Sequence, residues 1–136
     1  MKIDAHQHYW KLERGDYGWL TPEKGAIYRD FMPEDLAPHL ATHGSDRTIL
    51  VQAAPTEAET KFLLQVAFVT QSVAGVVGWV DFEAQDAPDR IRALGQHDRM
   101  LGLRPMLHDI SDPEWLLKNV SMDSRIAMFM AGFVLD

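Results

Sequence analysis

Short apolar runs separated by amphipathic segments recur along this chain, and no other feature restricts its fold so tightly. DRTILVQAA (46–54), VAGVVGWVDF (73–82), MLGLRPML (100–107) and GFVLD (132–136) are apolar on both alternating faces, as strands covered on both sides must be. The opening IDAHQHYW is extended too, with its polar residues at alternate positions. Between the runs lie segments of helical spacing. MPEDLAPHLATHG (32–44) has Pro33 at its first turn and Gly44 as its stop. TEAETKFLLQVAFVTQS (56–72) begins at Thr56, with Glu59 three residues on as the partner of a capping box. DAPDRIRALGQHD (86–98) closes near Gly95, and DPEWLLKNVSMDSRIAMFMA (112–131) is broken near 119–124. The Met-rich end of that last segment reads as helix core. Only 11–31, KLERGDYGWLTPEKGAIYRDF, has no period; it reads as one long loop, and such loops inside compact domains are often functional.

Strand and helix alternating in this way predict right-handed βαβ units and a parallel sheet. An open doubly wound sheet usually carries a glycine-rich first turn, and DAHQHYW is not one. The expected fold is therefore α/β, the first half of a (β/α)8 barrel with about four βα units and a fifth strand, as a single domain over residues 1–136.

Composition removes several functions. The net charge of −7, with no basic run, argues against nucleic acid as a partner. The absence of cysteine excludes disulfides, thiolate metal sites and cysteine nucleophiles. No apolar stretch approaches the roughly 20 residues that span a bilayer, and no basic-then-apolar leader opens the sequence. A cytoplasmic protein without membrane partners is expected.

Within DAHQH, side chains at i, i+2 and i+4 share one face of a strand, so Asp4, His6 and His8 project together while Ile3 and Ala5 face the covering layer. Neutral imidazole is a common ligand of divalent ions, and His6 and His8 are the candidate metal ligands, for zinc before other ions. Two imidazoles leave a tetrahedral site short of a third protein ligand; Asp4, deeper in the pleat, is expected to orient a histidine. Chemistry in parallel α/β folds gathers at the carboxyl ends of strands. The other predicted strands end in Gln52, Trp79 with Asp81, and Arg104 with His108, the expected substrate contacts. Gln52 suits a ring oxygen, Trp79 the face of a sugar, and Arg104 a carboxylate or hydroxyl. The alternative for Arg104 is a salt bridge to Asp81 or Asp109 that ties two loops together, with substrate contact the preferred reading. His39, His43 and His97 are expected on solvated helix faces.

The segments IDAHQHYW, YGWL, IYRDFMPEDLAPHL, TILVQAAPTEAET, GVVGWVDFEA, LGLRPMLHDISDPEWLL and GFVLD resemble, in order, those of the amidohydrolase-related lactonases. That family includes L-fuconolactone, L-rhamnonolactone and pyrone-dicarboxylate lactonases. The resemblance implies a (β/α)8 barrel that hydrolyses a sugar lactone or similar cyclic ester. It places His6 and His8 at the first-strand metal-ligand positions and as catalytic residues, with a divalent metal ion or metal-free. The family's later-strand histidine and its last-strand aspartate, which serves as the base, have no counterpart here. The chain alone is therefore expected to be inactive or weakly active, and to pair its open edges as a homodimer or with a complementing second barrel half. Two alternatives remain at this point: a non-catalytic half-barrel interaction module, and an HxH phosphoesterase or nuclease, which the negative charge disfavours.

Overall fold

The computed structural model describes residues 1–136. Five strands form one parallel sheet in sequence order: β1 (Ile3–Gln7), β2 (Arg47–Val51), β3 (Val73–Gly78), β4 (Met100–Leu103) and β5 (Val134–Leu135). Helices α1 (Pro33–His43), α2 (Glu57–Val69), α3 (Ala87–Leu94), α4 (Trp115–Asn119) and α5 (Met122–Ala131) form the connections. This is the first half of a (β/α)8 barrel, five strands curled into an open trough, as the alternation predicts. No helix is long and apolar enough to cross a membrane.

The packing follows from the strand pattern. Leu50, Val76 and Leu103, from three successive strands, are fully buried against Leu63, Val66 and Ala67 of α2, Ile91 of α3 and Ala127 and Met128 of α5. Each large side chain so buried contributes about 1.5–3 kcal/mol. Glycine permits the last pairing: a Cβ on Gly102 would stand 2.4 Å from the Val134 carbonyl oxygen, so only a bare Cα lets β5 close on β4. Gly44 ends α1 at φ 61°, a left-handed cap donating to the Ala41 and Leu40 carbonyls.

The structure departs from the sequence reading in four places. Residues 11–31 are not one irregular loop but two 3₁₀ turns, Leu12–Arg14 and Pro22–Ile27, closed at the base by an antiparallel bridge between Trp10 and Phe31. The capping box at α2 is half formed. Thr56 Oγ1 accepts from the Glu59 N–H, but the Glu59 carboxylate turns inward to other partners. Ile3 and Ala5 are exposed, because nothing covers the outer side of β1 at the sheet edge. The Met-rich helix is only partly core: Met128 is buried, whereas Met122, Ile126, Phe129 and Met130 lie in solvent. The break in the fourth helical segment falls at Val120 and Ser121, where Ser121 Oγ restarts the helix by accepting from the Ser124 N–H.

Candidate metal and substrate site

His6 and His8 do project from one face of β1, and their Nε2 atoms stand 3.1 Å apart with the rings edge to face. Strand pairing sets the geometry. Because β1 lies parallel to β2, the Val51 carbonyl meets His8 Nδ1 at 2.8 Å. A carbonyl can only accept, so Nδ1 carries the proton and the neutral His8 ring presents a bare Nε2 lone pair to the trough. His6 Nε2–H then donates to it. Burial, above all, holds the His8 pKa below the usual histidine range, and the nearby His6 and Arg104 charges push the same way. Near neutral pH His8 is a neutral ligand, the form a metal requires.

Two imidazole nitrogens bound at about 2.0–2.1 Å to one tetrahedral zinc stand about 3.3–3.4 Å apart. The observed separation is close to that, so the pair could hold one divalent ion with little movement. No cluster of three or more His, Asp or Glu is available to hold a metal, so the histidine pair could offer an ion two ligands and no third. Asp4 does not orient a ring as expected. Its carboxylate accepts from the His6 backbone N–H at 3.3 Å and from the Gln7 side-chain amide, fixing the backbone of the strand instead.

Gln52, just past β2, and Arg104, just past β4, meet across the carboxyl end of β3, which lies between those strands. Gln52 Nε2 donates to the Arg104 carbonyl at 2.8 Å, and Arg104 Nη1 reaches the Gln52 carbonyl at 3.4 Å. Gln52 is fully buried and its Oε1 has no protein partner, which leaves an acceptor free at this position. Arg104 pairs with neither Asp81 nor Asp109. Its Nε lies 3.5 Å from the carboxylate of Asp136, just past β5, a residue the sequence reading did not single out. His6, His8, Gln52, Arg104 and Asp136 thus form one neighbourhood, in which the His8 proton feels both Arg104 and Asp136.

The remaining candidates lie outside that cluster. Trp79 is half-buried; its backbone N–H and C=O both bond Thr60 Oγ1, at 2.7 and 2.9 Å, and it lines a groove of about 1090 Å³ between α2 and α3. Asp81 is exposed and accepts from the Glu83 N–H in a local turn. His108 is exposed in a 3₁₀ turn, 3.5 Å from Asp109. His39, His43 and His97 are exposed, as expected.

The sequence reading missed what holds the rim beside β2. Glu59 is fully buried, accepts from the Tyr17 hydroxyl at 2.6 Å and the Ala53 N–H at 3.1 Å, and lies 3.3 Å from Arg14. Burial raises its pKa despite these partners. Arg14 also pairs with Asp16 at 2.7 Å, Asp16 accepts from Thr56, and Trp19 Nε1 donates to the Ala53 carbonyl. The 11–31 segment is thereby clasped to the 52–56 turn. The signal was in view, since ERGDYGW crowds long polar side chains into a segment with no helix or strand to satisfy them.

Comparison with known proteins points to one family and to the same fold. Residues 3–126 match the profile of a family described as amidohydrolase. The chain is 48% identical over 115 residues to an L-fucono-1,5-lactonase of Burkholderia ambifaria, covering 85% of this chain and 40% of that protein. It is 31% identical over 132 residues to an L-fucono-1,5-lactonase of Burkholderia multivorans, covering 97% of this chain and 44% of that one. A crystal structure of an amidohydrolase from Burkholderia multivorans with bound zinc superposes with a TM-score of 0.85 at 30% identity. It takes in the whole of this chain and 48% of its own. The chain thus spans somewhat under half the length of these relatives.

Proposed function

This chain belongs to the amidohydrolase family, and from that premise we propose that it carries the electrophile-binding half of a sugar-lactone hydrolase. The observation that carries this reading is the His6–His8 pair, at the carboxyl end of β1 with His8 locked in the Nε2-presenting tautomer by Val51. Similarity to proteins named L-fucono-1,5-lactonase makes a 1,5-aldonolactone the substrate class, and nothing observed favours a phosphoester.

His6 and His8 would be the catalytic pair and two ligands of a divalent ion, zinc being favoured by the bound zinc of the Burkholderia multivorans structure. When bound, such an ion polarises the ester carbonyl. In a metal-free arrangement His6 Nε2–H transfers its donation from His8 to the lactone carbonyl, and stabilises the oxyanion directly. Arg104 donates to hydroxyl or carboxylate oxygens, and Gln52 Oε1 accepts from a sugar hydroxyl. Trp79 opens on the groove between α2 and α3, and Asp81 and His108 are exposed outside the cluster, so none of the three is given a part in binding the lactone. In the reaction the oxygen of water bonds to the carbonyl carbon, the ring C–O bond breaks, and the ring oxygen takes a proton to leave a hydroxy acid. The base that activates the water is not among these residues.

The test is hydrolysis of L-fucono-1,5-lactone by residues 1–136 fused to the remaining, C-terminal part of the Burkholderia ambifaria L-fucono-1,5-lactonase, followed by acid release against the spontaneous rate, with and without added zinc. His6→Ala and His8→Ala should each remove turnover above background and weaken zinc binding about tenfold or more. Turnover and zinc binding that survive the double substitution would sink the proposal.

A further inference from the structure

Helices α2 and α3 flank β3 and follow one another in the chain, yet α3 packs chiefly on α5. Gly95, at the end of α3, permits this. A Cβ there would stand 3.0 Å from the Ala131 Cβ, so the bare glycine lets α3 lean towards α5 and away from α2. The groove of about 1090 Å³ that opens between them runs down the outer layer, with Trp79 and Val80 at its upper end and residues 96–99 at its lower end. Both walls and the floor come from residues 57–99, well inside the chain. Each wall is one helix face: Leu64, Gln65 and Phe68 of α2, and Arg90, Ala93 and Leu94 of α3, recur at steps of three and four residues. The α2 face, from Glu57 to Phe68, is about 16 Å long along the helix axis. Phe68 is 87% exposed and Val69 79%, large side chains that a closed contact between α2 and α3 would cover.

Charge says what such a groove takes. The whole chain holds 13 Lys and Arg against 20 Asp and Glu, but the lining reverses the balance, with Lys61, Arg90 and Arg99 against Glu57 and Asp98. Arg90 and Glu57 pair with each other across the upper end. At the lower end Arg99 makes no ion pair; it donates Nη1 to the Val73 carbonyl and keeps the rest of its fork free. One free guanidinium beside one acid, Asp98, suits a monoanion. A dianionic phosphate would meet Asp98 with a single cation to hold it. We propose that this groove binds a fatty carboxylate, its head on Arg99 and its chain lying along Phe68, Leu64 and Ala93 towards Val80. Apolar walls of this length with one cation at the end match a long apolar chain that carries one negative charge. The groove lies among the outer helices, apart from His6 and His8, so this inference does not rest on the lactonase reading.

The fusion described for the lactone assay would be titrated calorimetrically with dodecanoate below its micellar concentration, without lactone or metal. One dodecanoate per chain is expected, with affinity falling about two- to fourfold for each methylene removed down to octanoate. Dodecyltrimethylammonium, the same chain with the opposite charge, should bind at least about tenfold more weakly. Ala93→Trp fills the groove from an exposed position and should lower dodecanoate affinity about tenfold. Arg99→Gln should cost about tenfold and Arg99→Lys about threefold, whereas Asp98→Asn, which removes the acid beside the head, should tighten binding about threefold. Phe129→Ser, on the exposed face of α5, should leave binding unchanged. None of these side chains is buried, so circular dichroism of each variant should match the parent. No binding, several molecules per chain, equal binding of the ammonium amphiphile, or affinity unmoved by Ala93→Trp and Arg99→Gln would each overturn the proposal. Loss with Phe129→Ser would place the amphiphile on α5 and overturn it too. So would a dimer, seen by light scattering, that Ala93→Trp disperses and dodecanoate does not, since the groove would then hold a second copy. Lactone turnover is not read in this titration, so failure of the lactonase reading would leave its outcome untouched.

Discussion

The rim beside β2 and the face beside β5 sit in one sheet and are finished in opposite ways. At the first, residues 11–31 bring their own partners: Tyr17 and Arg14 to Glu59, Trp19 to Ala53, Asp16 to Thr56, and a stack of Trp10 on Trp19 and Phe31. Buried polar groups there are mostly matched and the aromatics are packed edge to face. At the second, apolar side chains on α5 and an unpaired strand edge meet water. The contrast separates a surface whose polar groups find partners within these residues from one whose apolar side chains find none.

The strongest way to break the comparison is to open the clasp. Glu59→Ala leaves Arg14 with one carboxylate fewer and strands the Tyr17 hydroxyl and the Ala53 N–H. It should lower unfolding free energy by about 3 kcal/mol in urea titration. Amide exchange should accelerate across 11–31 first. Tyr17→Phe removes one hydrogen bond to a buried carboxylate and should cost about 1.5 kcal/mol, with the same segment loosening. The latch also gives the stability curve a sign. Burial raises the Glu59 pKa above its usual 4.5, so its contribution is fully present below that value and is lost as pH rises through the raised one. Urea midpoints of the parent should therefore fall relative to Glu59→Gln as pH climbs from 4.5. A gap that widens instead would contradict the buried-acid account. At the other end the expected effect is the smallest. Phe129→Ser on the isolated chain should change stability by less than about 0.5 kcal/mol, since the ring touches little here. A loss near 2 kcal/mol would mean that the stripe is already covered.

How legible each region was follows the same division. The strand–helix order and all five strands could be read from local pattern, because a buried parallel strand must be apolar on both faces and a helix carries its own caps. The His6–His8 pair was legible for the same reason: a two-residue period puts both rings on one face wherever the strand goes. Glu59 was misread because Thr-x-x-Glu satisfies a local rule, and only the arrival of Tyr17 and Arg14, 42 and 45 positions earlier, turns that carboxylate inward. The α5 stripe was misread as core because apolar spacing does not say whether a neighbour exists.

What the residues determined unaided was therefore everything with a short period: the alternation of elements, the shared face of the two imidazoles, the glycine stop of α1. What only the tertiary structure decided was each pairing between distant segments. The tautomer of His8 depends on a carbonyl 43 residues away. The orientation of Arg104 depends on Gln52 and Asp136, and the clasp on Glu59. Local rules follow from bond geometry repeated residue by residue; long-range partners exist only once the chain has folded and burial has made each unpaired polar group costly.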